Sequence, residues 1–286
     1  FSLEYAKKLN ETLEKDGLTA DVHIKLDTGM GRIGFFAEHQ ICEQAAKEIS
    51  CLKSLHVTGV FSHFSHADCF SEDAKEYTNR QIKAFDECVK TIREYFPNIR
   101  THLQNSAGIV DYNSLCYDIA RPGIILYGLS PSGEMVNDIG LNPVMQMKSI
   151  VSMVKEIPAG TAVSYSRRFV SDKVMTVATV SVGYADGYSR LLSNRAEVLV
   201  KGKRAKVLGT VCMDQIIIDV TDIDGVAQGD IVTLFGKDGE QEISLDELAN
   251  IIGTINYEIV CLMSKRVPRI YYKNNEIVAT VDYIMS

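Results

Sequence analysis

The chain has 286 residues, 46% hydrophobic and 23% charged, with a formal net charge of −7, which is enough for two ordinary domains. The acidic balance excludes a broad nucleic-acid or anionic-membrane surface, and no run of about 18 apolar residues is available to span a bilayer. Seven cysteines without paired or CxxC spacing read as free thiols of a reducing, cytoplasmic compartment, with Cys88 and Cys261 as core thiols. Six scattered histidines without an HExxH pattern predict no metal site.

The start, FSLEYAKKLNETLEKDG, is an amphipathic helix over 3–15, not a charged-then-apolar leader. A strand follows over 21–26. The stretch Val22–Phe35, VHIKLDTGMGRIGF, then turns through glycines 29, 31 and 34, which suits a loop folded closely under a ligand. Lys25 and Arg32 place two cations at this strand exit, where α/β barrels keep their sites. A helix over 37–51 leads to an apolar run over 56–64. Ser71 caps a long helix with Glu72 and Asp73 in its first turn. Tyr77, Ile82, Phe85, Val89, Ile92 and Phe96 form its buried stripe, and Pro97 ends it. A strand over 99–103 opens into Gln104-Asn105-Ser106, and a fourth strand candidate, 117–120, meets Arg121-Pro122-Gly123.

Near residue 131 the texture changes. Pro131, Gly133, Gly140 and Pro143 sit in a weakly patterned connection. Strands then dominate: 147–155, 173–182, 197–200, 205–208, 216–220, 231–235 and 277–281. Lys201-Gly202 and Asp238-Gly239 are hairpin signals. Ser244 and Glu247 make a capping-box pattern before a helix over 248–252. Two domains are expected, 1–135 built from parallel βα units and 136–286 mostly β. A complete (βα)8 barrel takes about 250 residues, so the first part is either an open sheet or part of a barrel.

Four strand exits end in polar groups: Lys25, Asp27 and Arg32; His63, His66 and Asp68; His102, Asn105 and Ser106; Arg121 and Gly123. Such clusters converge on one face of a barrel or parallel sheet and predict a pocket. Ser106 offers a hydroxyl and a helix start, which suits a phosphate or serves as an ordinary cap. Gly123 and Ile124 offer N–H groups beside Arg121, whose bland alternative is pairing with Asp118. In the second half, VSYSRRF, VGYADGYSR and VCMDQ contain Tyr165, Tyr184 and Met213, which composition alone reads as core residues.

The pieces HIKLDTGMGRIGF, GVFSHFSHAD, HLQNSAG, DIARPGIILYG, AVSYSRRF, VGYADGYSR, VCMDQ and TINYE together resemble the alanine racemase family, in that family's order and over essentially the whole chain. The resemblance implies a pyridoxal-phosphate enzyme with an N-terminal (βα)8-type barrel, here partial, and a C-terminal β domain. It replaces the core reading of Tyr165, Tyr184 and Met213. Tyr165 is similar to the tyrosine that moves the α-proton on one face of the substrate, reaching in from a partner subunit, so a homodimer is expected. Arg32 and the main chain of Met213 correspond to contacts of the substrate carboxylate. Arg121 corresponds to the arginine facing the cofactor's ring nitrogen, with His63 beside it and His102 in support. Ser106, Gly123, Ile124 and Tyr257 match the phosphate set. Tyr184 and Asp68 match the substrate entrance, and Lys25 matches a lysine that is carbamylated in many members.

The implied reaction is interconversion of L- and D-alanine by two acid/base groups on opposite faces of one carbon, supplying D-alanine for peptidoglycan. The family's other base, a Schiff-base lysine in a VVKANAYGHG-like stretch, has no counterpart in this sequence. The chain is therefore expected to be part of a longer enzyme and inactive alone. Two alternatives stand beside this: a serine racemase domain of a membrane-linked protein, and a non-catalytic remnant of the fold.

Overall fold

The computed structural model describes residues 1–285 and divides into two compact units, Phe1–Asn142 and Pro143–Ser286. The division falls within the weakly patterned connection, a little beyond the expected boundary at 135.

In the first unit, the Ser2 hydroxyl accepts from the Tyr5 N–H and caps α1 (Leu3–Lys15). Then follow β1 (Ala20–Asp27), β2 (Phe35–Phe36), α2 (His39–Ser50) and β3 (Leu55–Phe61). The Ser71 hydroxyl accepts from Ala74 N–H and starts α3 (Glu72–Tyr95), which stops ahead of Pro97, a residue that cannot donate to the preceding turn. β4 (Arg100–His102) and α4 (Ser106–Asp111) close the unit. The strands form one parallel sheet in the order β2-β1-β3-β4. Ile24, Leu26 and Val60 bury one face of it against Cys42, Ala46, Phe85, Cys88 and Ile92 of α2 and α3. Because side chains alternate along a strand, His23, Lys25 and Asp27 stand on the other face.

The expected strand at 117–120 does not form. The Thr101 N–H and hydroxyl donate to the Asp118 carboxylate, both at 2.7 Å. The Ile119 and Arg121 N–H groups reach the carbonyls of Thr101 and Gln104. A side chain thus takes the place of a ladder, and Pro122 supplies no donor to extend one. Asp118 is engaged by Thr101, so it is not the partner of Arg121. The fourth strand is instead β2, two residues long and too short to show alternation.

The second unit is antiparallel. Its strands are β5 (Met147–Ile157), β6 (Ala162–Val163), β7 (Phe169–Val170), β8 (Met175–Val180), β9 (Glu197–Val200), β10 (Lys203–Leu208), β11 (Ile216–Asp219), β12 (Ile231–Asp238) and β13 (Gln241–Ile243). The order β12-β5-β8-β11-β10-β9 returns to β12 through a β12–β9 pairing, so six strands close on themselves, and β13 extends β12. Closure removes free sheet edges. Val151, Val177, Val180, Val198, Val207, Ile218 and Leu234 are all nearly inaccessible. Lys201 and Gly202 turn β9 into β10 with φ of 50° and 71°, as a two-residue hairpin requires.

The Ser244 hydroxyl accepts from Glu247 N–H at 3.0 Å and opens α5 (Leu245–Ile252), three residues earlier than expected. The reciprocal half of the capping box is absent, because the Glu247 carboxylate receives both Nη atoms of Arg204, at 2.7 and 3.0 Å. Among the elements not anticipated are α6 (Asn256–Leu262) and β14 (Arg269–Lys273), which pairs with β15 (Glu276–Val281) across an Asn274-Asn275 turn. Cys261, expected in the core, is exposed on α6; Cys88 is buried as expected. No helix among the described residues is long and apolar enough to cross a membrane.

Candidate active site

Three adjacent strands align one row of side chains. Lys25 is in register with Phe61, and Phe61 with His102. The Phe61 and His102 rings stack at 4.8 Å and 4°. Lys25 Nζ and Arg121 Cζ lie 5.7 and 5.6 Å from the Phe61 ring centre. The benzene ring attracts each cation weakly, while the two still repel, since the Arg121 charge helps lower Lys25.

Arg121 is held from several directions. Its Nη1 donates to His102 Nδ1 at 2.6 Å, and its Nη2 reaches the Ser62 carbonyl at 2.7 Å, the Leu103 carbonyl at 3.2 Å and His63 Nδ1 at 3.3 Å. A guanidinium only donates, so both Nδ1 atoms are acceptors and both imidazoles carry their proton on Nε2. His102 Nε2 in turn lies 2.7 Å from His23 Nδ1, which fixes the His23 proton on its own Nε2. The His23 ring rests on Gly59, where a Cβ would come within 2.7 Å of it. Burial, then the charge of Arg121, lowers His63 and His102 to about 4. At neutral pH both rings are uncharged. The Arg121 Nε–H has no acceptor among the described residues.

At the exit of β1, Asp27 Oδ1 accepts from the N–H groups of Gly29 and Gly31, both at 3.0 Å. Burial opposes ionisation of Asp27, but these bonds and the Lys25 charge outweigh it and hold the carboxyl below its usual range. Lys25 is 4% exposed and donates to the Leu26 carbonyl. Burial lowers it to about 8, with Asp27 opposing and Arg32 and Arg121 adding to the shift. Arg32 is exposed and has no side-chain partner among the described residues, yet its charge is felt at both Lys25 and His63.

Beyond β4, the Asn105 side chain accepts from Gly108 N–H at 3.0 Å and starts α4. The Ser106 hydroxyl accepts from Gly123 N–H at 2.8 Å, which ties the start of α4 to the turn following Arg121. The N–H groups of Ser106, Ala107 and Ile124 have no acceptor among the described residues, an arrangement that favours an anion. Thus Lys25, His63, His102, Arg121, Ser106, Gly123 and Ile124 gather around one sheet end. Asp68 is not bonded into this group: it lies in the loop before α3 and accepts from the Ser132 hydroxyl through its carbonyl.

The remaining candidates belong to the second unit. Tyr165 is 68% exposed on a turn where Ser164, Ser166 and Arg167 all take positive φ, at 64°, 60° and 49°. Such backbone is costly for residues with a Cβ. Thr210 holds it from both sides: the Ser164 hydroxyl donates to the Thr210 carbonyl at 2.6 Å, and the Thr210 hydroxyl donates to the Tyr165 carbonyl at 3.0 Å. Tyr184 and Met213 are 43% and 53% exposed on two further loops, joined where Tyr184 N–H meets the Cys212 carbonyl and Ala185 N–H the Met213 carbonyl, both at 3.0 Å. Tyr257 is half-buried on α6. The exposure of Tyr165, Tyr184 and Met213 departs from the core reading that composition gave them.

Two family models match the chain: "Alanine racemase, N-terminal domain" over residues 1–131 and "Alanine racemase, C-terminal domain" over residues 144–271. The chain belongs to the alanine racemase family. It is 45% identical to the alanine racemase of Clostridium novyi (strain NT), over 99% of this chain and 73% of that protein. It is similar to the alanine racemase of Clostridium difficile 630, with a TM-score of 0.92 and 37% identity over 100% of this chain and 73% of that one. A Bartonella henselae alanine racemase with covalently bound pyridoxal phosphate gives a TM-score of 0.76 and 28% identity over 90% of this chain and 68% of that one. A racemase match spanning nearly the whole chain lends no support to the expectations of an inactive chain or a non-catalytic remnant. The family's architecture, a barrel-like α/β domain followed by an all-β domain, is the one described above.

Two residues of the cluster escaped sequence reasoning, His23 and Phe61. Both stand on the same sheet face as Lys25 and His102. The period-two alternation of β1 and β3 carries the signal, once the face holding Lys25 is taken as the functional one.

Proposed function

We propose that this chain serves alanine racemisation with pyridoxal phosphate, supplying the acid/base group for one face of the α-carbon, and that its active unit is a homodimer in which Tyr165 of one copy serves the cluster of the other. The observation that carries the reading is Arg121, fixed through Nη1 and Nη2 with its Nε–H left over. The residues fit the cofactor. The spare N–H groups of Ser106, Ala107 and Ile124 suit its phosphate, with Tyr257 joining that set. The Nε–H of Arg121 suits its ring nitrogen. When bound, the pyridoxal ring withdraws electrons from the α-carbon of an amino acid and makes the α-proton removable.

Arg121 keeps its proton, since a guanidinium titrates far above neutrality, so a nitrogen facing it accepts a hydrogen bond and stays unprotonated. His63 and His102, neutral and accepting on Nδ1, hold that orientation without supplying a proton. Lys25 and Arg32 make the exit of β1 cationic, which draws in a carboxylate; Lys25, bonded to the Leu26 carbonyl, sets charge there and is not the covalent anchor. The exposed Tyr165 phenol moves the proton on one face of the α-carbon. The outward Met213 N–H receives the substrate carboxylate, and Tyr184 and Asp68 border its path.

In the natural full-length protein with cofactor, Tyr165→Phe should lower alanine racemisation by about 100-fold or more, while cofactor absorbance persists. Alanine and serine should be assayed side by side. Normal turnover of the variant removes Tyr165 from the mechanism, and faster turnover of serine than of alanine removes the substrate assignment.

A further inference from the structure

The loops bearing Tyr184 and Met213 are welded backbone to backbone. A Cβ on Gly183 would stand 2.3 Å from the carbonyl oxygens of both Cys212 and Met213, closer than any side chain tolerates. Gly183 N–H donates to Asp186 Oδ2 at 2.8 Å. The second loop closes on itself where Cys212 N–H meets the Gln215 carbonyl at 3.0 Å.

One side chain spans both loops. Arg266 Nε contacts Asp186 Oδ1 at 2.8 Å, and its Nη2 contacts Asp214 Oδ1 at 2.6 Å. Asp186 is 9% exposed, and Ser264 N–H donates to its carbonyl at 3.1 Å. The segment bearing Arg266 is thus itself fixed to the first loop. A guanidinium offers two donors along one rigid edge, which a lysine ammonium cannot reproduce.

This bridge has a consequence for Met213. In a trans peptide the C=O and N–H point in opposite directions. The Cys212 carbonyl is turned toward Tyr184 N–H, so the Met213 N–H of the same peptide is turned away from that loop. It has no acceptor among the described residues. We infer that Arg266 is a positioning residue for the substrate carboxylate: by clamping Asp186 to Asp214 it sets the direction of the Met213 N–H. This role rests on the reading of Met213 given above.

The test uses the natural full-length holoenzyme with Arg266→Lys, Asp214→Ala and the double variant. Each single variant should raise the KM for alanine by about fivefold or more, with kcat changed less than about twofold. The double variant should be no worse than Arg266→Lys alone, as expected of residues acting through one contact. Because the two enantiomers have equal energy, kcat/KM must fall equally in both directions. Should Arg266→Lys fold poorly, Asp214→Ala, which leaves the buried Asp186 contact in place, reads the same split. An unchanged KM in a folded variant overturns the role, as does a lowered unfolding midpoint with KM and kcat both normal. Absence of alanine racemisation by the unmutated protein overturns the functional reading itself.

Discussion

The chemistry of single residues in this chain is governed by which proton each histidine can hold. Sequence placed His63, His102 and Arg121 at strand exits but could not order them, because the order depends on hydrogen bonds between strands. The structure links Arg121 to both rings, and burial with that charge lowers each to about 4, from 6.5 for an ordinary histidine. Between those values the unfolded chain binds protons that the folded chain refuses. Their contribution to stability is therefore complete above about 6.5 and is lost as pH falls toward 4. Urea unfolding at pH 7.5 and 5.5 should give a smaller free energy at the lower pH, and His63→Asn with His102→Asn should flatten the difference. An equal pH dependence in that variant would count against neutral rings. Lys25 was legible as a cation at a strand exit, whereas its burial and the benzene face beneath it were not.

At the scale of elements, the long amphipathic segments were legible because many residues repeat one message. α1, α3 with its Ser71 cap, and the β9–β10 hairpin with its Lys201-Gly202 turn all form close to where periodicity and turn chemistry put them. Short elements were not. The strand expected at 117–120 yields to the Asp118 side chain, which occupies the donors of Thr101, and the two-residue β2 carries no readable period. The Gly-rich turn shows how local a constraint can be. Gly34 has φ of +118°, and a Cβ there would lie 2.8 Å from the Lys25 carbonyl oxygen and 2.9 Å from the Asp27 nitrogen. Gly31 also has positive φ, +71°, but open space around it. Gly31→Ala should therefore cost about 1 kcal/mol, and Gly34→Ala about 2 kcal/mol or more, since β1 itself must move. Thermal or urea unfolding checks this; equal costs would mean that the backbone of β1 gives way easily.

For the whole molecule, the order of motifs pointed to the family, and the two-part architecture follows from a change in texture near residue 131. The residues of the proposed chemistry divide between the units: a cofactor cluster in the first, and Tyr165, Tyr184 and Met213 exposed in the second. Periodicity would not report the proposed lending of Tyr165 between copies, because it reads only what a chain buries within itself. Complementation between two variants measures whether Tyr165 is lent across the dimer. Natural full-length Tyr165→Phe and Arg121→Ala, each inactive alone, are coexpressed and assayed for alanine racemisation. A shared site gives every mixed dimer one intact pair, the Arg121 of one copy with the Tyr165 of the other, so random pairing should restore roughly a quarter of wild-type activity. Mixed dimers with no activity above that of the separate variants would contradict the account, because Tyr165 and Arg121 would then act within one chain or not together at all.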